Sequence, residues 1–221
     1  MKYFIGIDVS EDRGCAVAAI DDSGRALGCR WSNSEVGEIV SAVRVLARDS
    51  TEIDIGIDSP RKPVPVGREW YWDRKTMGWR SRLPAERGWG RHCEVIVSVM
   101  KLANPQWTPQ EAAAPGWMRL GFSLFTALEG FGEVHEVFPT ASYSQLAESD
   151  GPRLEMSFCG FTRGPKDMLD AYVGALTVLE YKKGNGSAVG GGDDLGEIVL
   201  PRPVVNAPAA LFVWPPSSPA V

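Results

Sequence analysis

The sequence has few cysteines, and their spacing forms no pattern. The four cysteines, Cys15, Cys29, Cys93 and Cys159, are scattered, and no two of them make the C-x-x-C pattern of zinc sites and redox motifs. This absence excludes a zinc ribbon or a disulfide framework as the basis of the fold. We therefore expect all four thiols to be reduced and to behave as small hydrophobic side chains.

Long hydrophobic runs are also absent. No apolar stretch approaches the roughly 20 residues that a membrane-spanning helix needs. The first residues, Met1 to Gly6, enter a strand pattern directly and do not resemble a signal peptide. These features predict a cytoplasmic protein without a membrane partner.

The composition gives no sign of disorder or of a fibrous chain. Glycine and proline number 24 and 16, hydrophobic residues make up 44%, and charged residues make up 23% of the 221 residues. A chain of this length and composition can bury one good hydrophobic core. We expect one main domain.

The first quarter of the chain changes from strand to helix periodicity and back. Short apolar runs separated by polar turns predict strands over 3–8, 15–20 and 26–31, arranged as an antiparallel meander. Apolar residues then recur at helical spacing over 34–50, where Ser34 is a suitable N-cap. A fourth strand is predicted over 53–58, because Pro60 ends the apolar run.

The rest of the chain adds helices and one more sheet strand. The patterns predict helices over 94–103, 117–129, 141–148 and 165–183, strands over 133–138 and 197–200, and a flexible loop over 184–194. Together the elements predict an α/β fold. Its mixed five-stranded sheet has three antiparallel strands followed by two parallel ones, is flanked by helices, and carries a helical insertion between its fourth and fifth strands. We assign 1–183 to this domain, with the insertion at 61–130, and 184–221 to a Gly/Pro-rich C-terminal extension.

The insertion begins with a basic, aromatic segment. Residues 61–91 contain nine Lys or Arg and three acids, which gives +6, although the whole chain carries −5. Five aromatic residues are interleaved with these charges. Such a surface can neutralise phosphates and stack bases, and a surface loop whose tryptophans cover the core would have the same composition. The candidate substrate-binding residues of this segment are Arg74, Lys75, Trp79, Arg80 and Arg82.

Five acidic residues form a candidate metal site. Asp8 and Asp58 close apolar strands, Glu136 lies late in another, and Asp167 and Asp170 share one face of the helix over 165–183. Acids in central strands are costly unless a positive group meets them. Carboxylates that converge in this way suit Mg²⁺ or Mn²⁺.

Each acid also has a simpler interpretation. Asp58 precedes Ser-Pro and could start a turn, and Asp167 could stabilise the N-terminus of its own helix. The Gly-Ile-Asp that ends in Asp8 also occurs in turns, and Glu136 has the neighbours Glu133 and His135 as competitors. The prediction therefore depends on the set of acids and not on one member.

Several short stretches resemble the ribonuclease-H superfamily, and more closely the domain-of-unknown-function family 429, which is described as a predicted RNase-H-like nuclease. These stretches, spread over residues 1 to about 182, are Gly6-Ile7-Asp8, Ile57-Asp58-Ser59-Pro60, Arg91-His92-Cys93-Glu94, Glu136-Val137-Phe138-Pro139 and Lys166-Asp167-Met168-Leu169-Asp170-Ala171. The last one is also similar to the closing helix of Holliday-junction resolvases, in which two aspartates at this spacing bind metal. The resemblance implies an RNase-H-like domain in which Asp8 and Asp58 take the positions of the first two carboxylates. The long insertion departs from the resolvase pattern.

These observations lead to one main functional hypothesis and two alternatives. The main hypothesis is a metal-dependent nuclease that uses two Mg²⁺ or Mn²⁺ ions, one to help activate water and one to stabilise the leaving oxygen, with Lys166 contacting a phosphate of the DNA or RNA substrate. The first alternative is a catalytically silent scaffold of the same fold that binds nucleic acid or protein. The second is an actin- or sugar-kinase-like phosphotransferase, which would need a second, duplicated domain. A homodimer is compatible with each of them.

Overall fold

The computed structural model describes residues 1–48, 50, 52–146 and 164–216, and two sheets, five α-helices and two short 3-10 helices occur there. The strands are β1 (Lys2–Asp8), β2 (Cys15–Asp21), β3 (Ala26–Ser32), β4 (Glu52–Asp58), β5 (Trp70–Asp73), β6 (Gly78–Ser81), β7 (Glu133–Val137), β8 (Ser187–Gly190) and β9 (Glu197–Leu200). The helices are α1 (Val36–Ala47), α2 (His92–Val99), α3 (Gly116–Leu128), α4 (Pro139–Leu146) and α5 (Pro165–Lys182). Cys159 and the end of the helix predicted over 141–148 lie outside the described residues. No helix in the described ranges is long and apolar enough to cross a membrane.

The main sheet confirms the α/β prediction but has seven strands and not five. Its order is β3-β2-β1-β4-β7-β9-β8. The antiparallel meander β1-β2-β3 is confirmed, and β4 lies parallel to both β1 and β7, as predicted. The additional strands are β8 and β9, which extend the sheet beyond β7.

The two additional strands come from the segment predicted to be a loop and a C-terminal extension. The strand predicted over 197–200 is confirmed as β9, but the loop predicted over 184–194 is wrong at β8, which pairs antiparallel with β9. β8 has four residues among many glycines and shows no periodicity of its own. Its pairing, Ala188 with Val199 and Val189 with Ile198, supplies the structure that the local sequence does not specify.

The helices agree with the sequence patterns more closely at their centres than at their ends. α5 has the predicted proline in its first turn, Asp167 and Lys182 near its two ends, and a positive φ of 79° at Gly184 just beyond it. α2 begins earlier than predicted because a capping box of Arg91 and Glu94 fixes its N-terminus. It also ends earlier than predicted, at Val99. The predicted Ser34 cap of α1 is wrong, since the Ser34 hydroxyl donates to the Ser10 carbonyl at 2.6 Å.

The insertion between β4 and β7 is only partly helical. It contains α2 and α3 as predicted, together with the two-stranded hairpin β5-β6, which the basic composition of 61–91 had obscured. Aromatic residues of the hairpin pack on a hydrophobic cluster made by α2, β8, β9 and the chain near Leu211. The insertion and the C-terminal segment thus share one core.

Helix α5 covers one face of the main sheet, and α1 and α3 cover the other. The close approach of α5 to β1 depends on Gly6, where an added Cβ would lie 1.8 Å from the Ala171 carbonyl oxygen and 2.7 Å from the Ala175 nitrogen. Both atoms belong to the backbone of α5, so a side chain at position 6 could be accommodated only if α5 moved away from β1. The distance between α5 and β1 also fixes how the helix presents its acidic first turn to the end of β1.

Replacing Gly6 by alanine should lower the free energy of unfolding by roughly 2–3 kcal/mol, because the methyl group overpacks the contact between β1 and α5. Gly37→Ala is the matched control. Gly37 is exposed on α1 with nothing within 4 Å of an added Cβ, and alanine should leave stability equal or slightly higher there. Urea unfolding measures both effects. Equal stability of the two variants would contradict the proposed contact.

Candidate functional site

Asp8 and Asp58 lie side by side at the carboxyl ends of two neighbouring parallel strands. They are register partners in the pairing of β1 with β4, so their Cα atoms are about one strand spacing of 4.8 Å apart. Both face α5, because Phe4 and Gly6 on β1 and Gly56 on β4 contact that helix. Asp8 is buried, and its Oδ2 has no hydrogen-bond partner. An unpaired buried carboxylate oxygen is a costly feature that a cation would relieve.

The first turns of α5 add two more buried carboxylates. Asp167 is 4% exposed and its Oδ1 lies 3.0 Å from a guanidinium nitrogen of Arg13. Asp170 is 5% exposed, accepts a hydrogen bond of 2.7 Å from the Tyr143 hydroxyl, and forms an ion pair with Lys166 one turn earlier. The structure therefore brings together four of the five predicted acids, Asp8, Asp58, Asp167 and Asp170.

Burial and neighbouring negative charges raise the pKa values of the two strand-end carboxylates, Asp8 and Asp58. Burial, followed by the negative charges of Asp170 and Asp167, raises the pKa of Asp8 to about 7. Burial and the charges of Asp8 and Asp170 raise the pKa of Asp58 well above its ordinary value. These shifts mean that Asp8 and Asp58 resist being charged at the same time, and a further cation between them would favour the charged forms.

The donor atoms of this site fit a hard divalent cation. All are carboxylate oxygens, and the unpartnered Oδ2 of Asp8 lies within the group. In the part of the chain that the structure describes, however, no three His, Cys, Asp or Glu side chains already form a set of metal ligands. Arg13 contacts one carboxylate oxygen of Asp167, and Lys166 contacts one of Asp170. Ion binding would exchange these two ion pairs for metal contacts.

The fifth predicted acid, Glu136, points to the other side of the sheet. β7 pairs with β4 so that Glu136 is opposite Ile57, while the next residue, Val137, packs in the cluster beneath α5. Val134, two residues earlier on the same strand face, packs against the opposite cluster. Glu136 therefore does not face α5 as Asp8 and Asp58 do.

A buried arginine neutralises Glu136. Arg91 is 0% exposed and donates to both carboxylate oxygens of Glu136, at 2.7 Å to Oε2. The same guanidinium donates to Glu94, whose carboxylate also accepts the Thr108 backbone N–H at 3.0 Å. These interactions join α2, β7 and the loop before α3. Unlike the exposed side chains of Arg13 and Lys166, the buried Arg91 cannot move into solvent and release its carboxylate, so we leave Glu136 out of the proposed ligand set.

No protein-family model, curated protein or solved structure matches this chain. The resemblance to the domain-of-unknown-function family 429 and to the ribonuclease-H superfamily stays a prediction. Any functional assignment must rest on the residues of the site itself.

The predicted basic and aromatic residues lie elsewhere. Trp79 donates to the Ala210 carbonyl at 2.9 Å and packs edge-on against Trp72, His92 and Trp214, with ring centroids 5.0 to 5.7 Å apart. It covers the cluster that joins the insertion to the C-terminal segment, in agreement with the simpler interpretation of the tryptophans. Stacking of Trp79 on a base would require this packing to open.

The four basic candidates differ in their partners. Arg80 is bound to Glu86, whereas Arg74, Lys75 and Arg82 are exposed, and Arg74 also donates to the Ser98 carbonyl at 3.0 Å. None of the four lines the cleft that borders Asp58 in the described residues. A contact between this surface and nucleic acid remains a prediction separate from the acidic site.

Sequence reasoning did not identify Arg13, Arg91 or Tyr143 as site residues. Arg91 and Glu94 have the three-residue spacing of a capping box, which could have indicated their pairing. Tyr143 follows β7 within one short helix, a position from which a side chain can reach the sheet edge. Arg13 lies in an ordinary polar turn, and its contact with Asp167, 154 residues later, has no local signal.

Proposed function

We propose that the protein is a metal-dependent nuclease of the RNase-H-like kind, which hydrolyses phosphodiester bonds with Asp8, Asp58, Asp167 and Asp170 as its metal ligands. The observation that carries the proposal is the buried, unpartnered Oδ2 of Asp8 among three further carboxylates. Such an arrangement is costly without a cation, and costly charge clusters are typical of functional sites.

The topology supports the fold part of this proposal. The strand order β3-β2-β1-β4-β7, with only β2 antiparallel to its neighbours, agrees with the sheet that the resemblance implies. Asp8 and Asp58 end its two central strands, where that resemblance puts the first two carboxylates. β9 and β8 would then be additions at one edge.

The side chains have distinct roles in this proposal. Divalent cations would supply the positive charge that favours deprotonation of a water and stabilises the leaving oxygen. The Tyr143 hydroxyl fixes the orientation of Asp170, and the exposed side chain of Lys166 is close enough to this site to meet a phosphate. The side chain of Arg13 is 66% exposed beside Asp167, so it could also contact a phosphate of the substrate.

The charge of the site makes nucleic-acid binding dependent on the cation. Glu11 and Asp12 line the cleft together with Asp58, and Arg13 is the one basic residue among its lining residues in the described ranges. A phosphodiester approaching these carboxylates without a cation would be repelled. We therefore expect binding near the site to require Mg²⁺, Mn²⁺ or Ca²⁺.

Replacing Asp170 by asparagine tests the proposal. Cleavage should fall at least about a hundredfold, near 2.7 kcal/mol in the barrier, because the substitution removes one ligand charge and keeps the size of the side chain. Single-turnover cleavage of labelled single-stranded, duplex and branched substrates in Mg²⁺ and Mn²⁺ measures this effect, and binding in Ca²⁺ should be retained.

Asp22→Asn is the matched control, because Asp22 is exposed in the turn after β2, at the opposite end of the sheet from Asp8. This variant should cleave as the wild type does. Equal cleavage by Asp170→Asn would exclude Asp170 as a ligand. A wild-type protein that binds nucleic acid but cleaves none of these substrates would instead be the silent scaffold.

A further inference from the structure

A cleft of about 470 Å³ lies directly beside Asp58. One side of it is formed by the end of β4 and the turn after β1, and the rest of its wall comes from the loop after α2, the first turn of α3, and the junction of β7 with α4. Besides Asp58, the residues of interest in its wall are Asn104, Gln106, Trp117, Phe138 and Thr140. The volume falls within the range of about 300–1,000 Å³ that small-ligand sites occupy.

The polar side chains of this wall are available to a ligand. Asn104 and Gln106 are exposed, and in the described part of the chain neither carboxamide makes a hydrogen bond. The indole N–H of Trp117 likewise has no partner there and is not enclosed. In contrast, Gln145 on α4 uses its carboxamide to bind the backbone of Arg202.

These side chains have the chemistry of base recognition. Carboxamides offer a donor and an acceptor side by side, which is how Asn and Gln bind the edge of a base. Trp117 and Phe138 are partly exposed, and aromatic rings of this kind stack on the faces of bases. The cleft thus combines two means of binding a nucleobase at one place.

The charge of the cleft restricts what can enter it. Its three acidic residues, Glu11, Asp12 and Asp58, outnumber its one basic lining residue in the described ranges, Arg13, so the cleft disfavours a phosphate inside it, whereas a base is uncharged. A base in a duplex keeps its pairing edge inside the stack, so it must be unpaired to meet the carboxamides. The ligand is therefore a base whose attached phosphate lies outside, towards the carboxylates of the proposed metal site.

The geometry points to a binding site for one unpaired nucleoside of a single-stranded nucleic acid, held by Asn104, Gln106, Trp117 and Phe138 beside the scissile phosphate. This inference rests on the proposed nuclease function and gives it a substrate class. Single-stranded segments, including those at junctions and ends, would be preferred to intact duplex.

Binding measurements in Ca²⁺ test the inference separately from catalysis. Labelled single-stranded DNA and RNA, a duplex of the same sequence, and a free nucleoside monophosphate serve as probes for the full chain.

Removing both carboxamides, with Asn104→Ala and Gln106→Ala together, should weaken single-strand affinity at least about tenfold. Trp117→Ala should have an effect of similar size. Gln110→Ala is the matched control, because Gln110 is exposed in the same loop but does not line the cleft.

The outcomes separate the two proposals. Unchanged single-strand affinity in the doubly substituted protein, or equally tight binding of the duplex, would overturn the nucleoside site even if the enzyme cleaves. Equal affinity for the free monophosphate and the oligonucleotide would also overturn it, in favour of a small-molecule ligand. Absence of cleavage together with the expected binding losses would remove the nuclease proposal and leave the cleft as a binding site. Because Asn104 and Gln106 are exposed, their replacement should not impair folding.

Discussion

Replacing Asp8 by asparagine is expected to stabilise the metal-free protein at about pH 8 by at most about 4 kcal/mol, while it lowers cleavage about a thousandfold or more. Asp8 is 7% exposed, lies next to Asp58, and has one carboxylate oxygen without a partner. Asparagine keeps the shape and removes the charge. A substitution that raises stability and removes activity is characteristic of a functional site under electrostatic strain.

The effect depends on pH in a definite direction. The pKa of Asp8 is raised from its ordinary 3.8 to about 7, chiefly by burial and then by Asp170 and Asp167. Between pH 3.8 and about 7, Asp8 therefore keeps its proton in the folded protein, whereas the same carboxyl group has lost it in the unfolded chain. The contribution to stability is fully present below about pH 4 and is lost as the pH rises through about 7. Wild type and Asp8→Asn should thus have similar stability near pH 4 and diverge above it.

Thermal unfolding in a chelator across this pH range measures the effect, and a titration with Mg²⁺ or Mn²⁺ follows. The cations should raise the melting temperature of the wild type and of the Asp22→Asn control, by mass action on the folded state, but not that of Asp8→Asn. An equal response of all three proteins would locate the cation elsewhere. Equal stability of Asp8→Asn and wild type at pH 8 would show that Asp8 is not under strain.

Replacing Arg91 by alanine is expected to cost about 3–5 kcal/mol of stability. The guanidinium is fully buried and donates to Glu136 and to Glu94, which are 3% and 2% exposed. Without it, two buried carboxylates lose their common partner. Burial raises the pKa of Glu136, and the charge of Arg91 opposes this rise. Without Arg91, Glu136 would take up a proton more easily, and this protonation would recover part of the lost stability.

A double-mutant cycle separates this pairing from simple packing. In the Arg91→Ala background, Glu136→Gln removes one buried charge that has lost its partner, so it should restore part of the lost stability. The losses in the free energy of unfolding from the two substitutions, measured by urea unfolding, should therefore be less than additive. Arg87→Ala is the matched control, because Arg87 is exposed and its guanidinium lies over the Trp89 ring. Additive losses in the cycle would mean that Arg91 contributes by filling space alone.

The sequence predicted much of the fold because its signals there are local. The meander at the start is marked by polar turns between apolar runs, and α5 carries agreeing signals in its first and last turns. These segments fold much as their own residues dictate. In contrast, β8 has four residues and depends on β9 for its hydrogen bonds, so no local pattern revealed it.

The sequence also marked the acids of the site, but it could not decide which of them face each other. Asp8, Asp58, Asp167 and Asp170 end strands or begin a helix, and those positions are visible in the chain. Glu136 looks equivalent in sequence, yet it lies on the other side of the sheet because β7 pairs its residue 136 with Ile57 and not with Asp58. A shift of one residue between neighbouring strands moves every side chain to the opposite face. That register is set by packing over long distances in sequence, which is why only the tertiary structure paired Glu136 with Arg91 and put Asp8 and Asp58 on the sheet face that α5 covers.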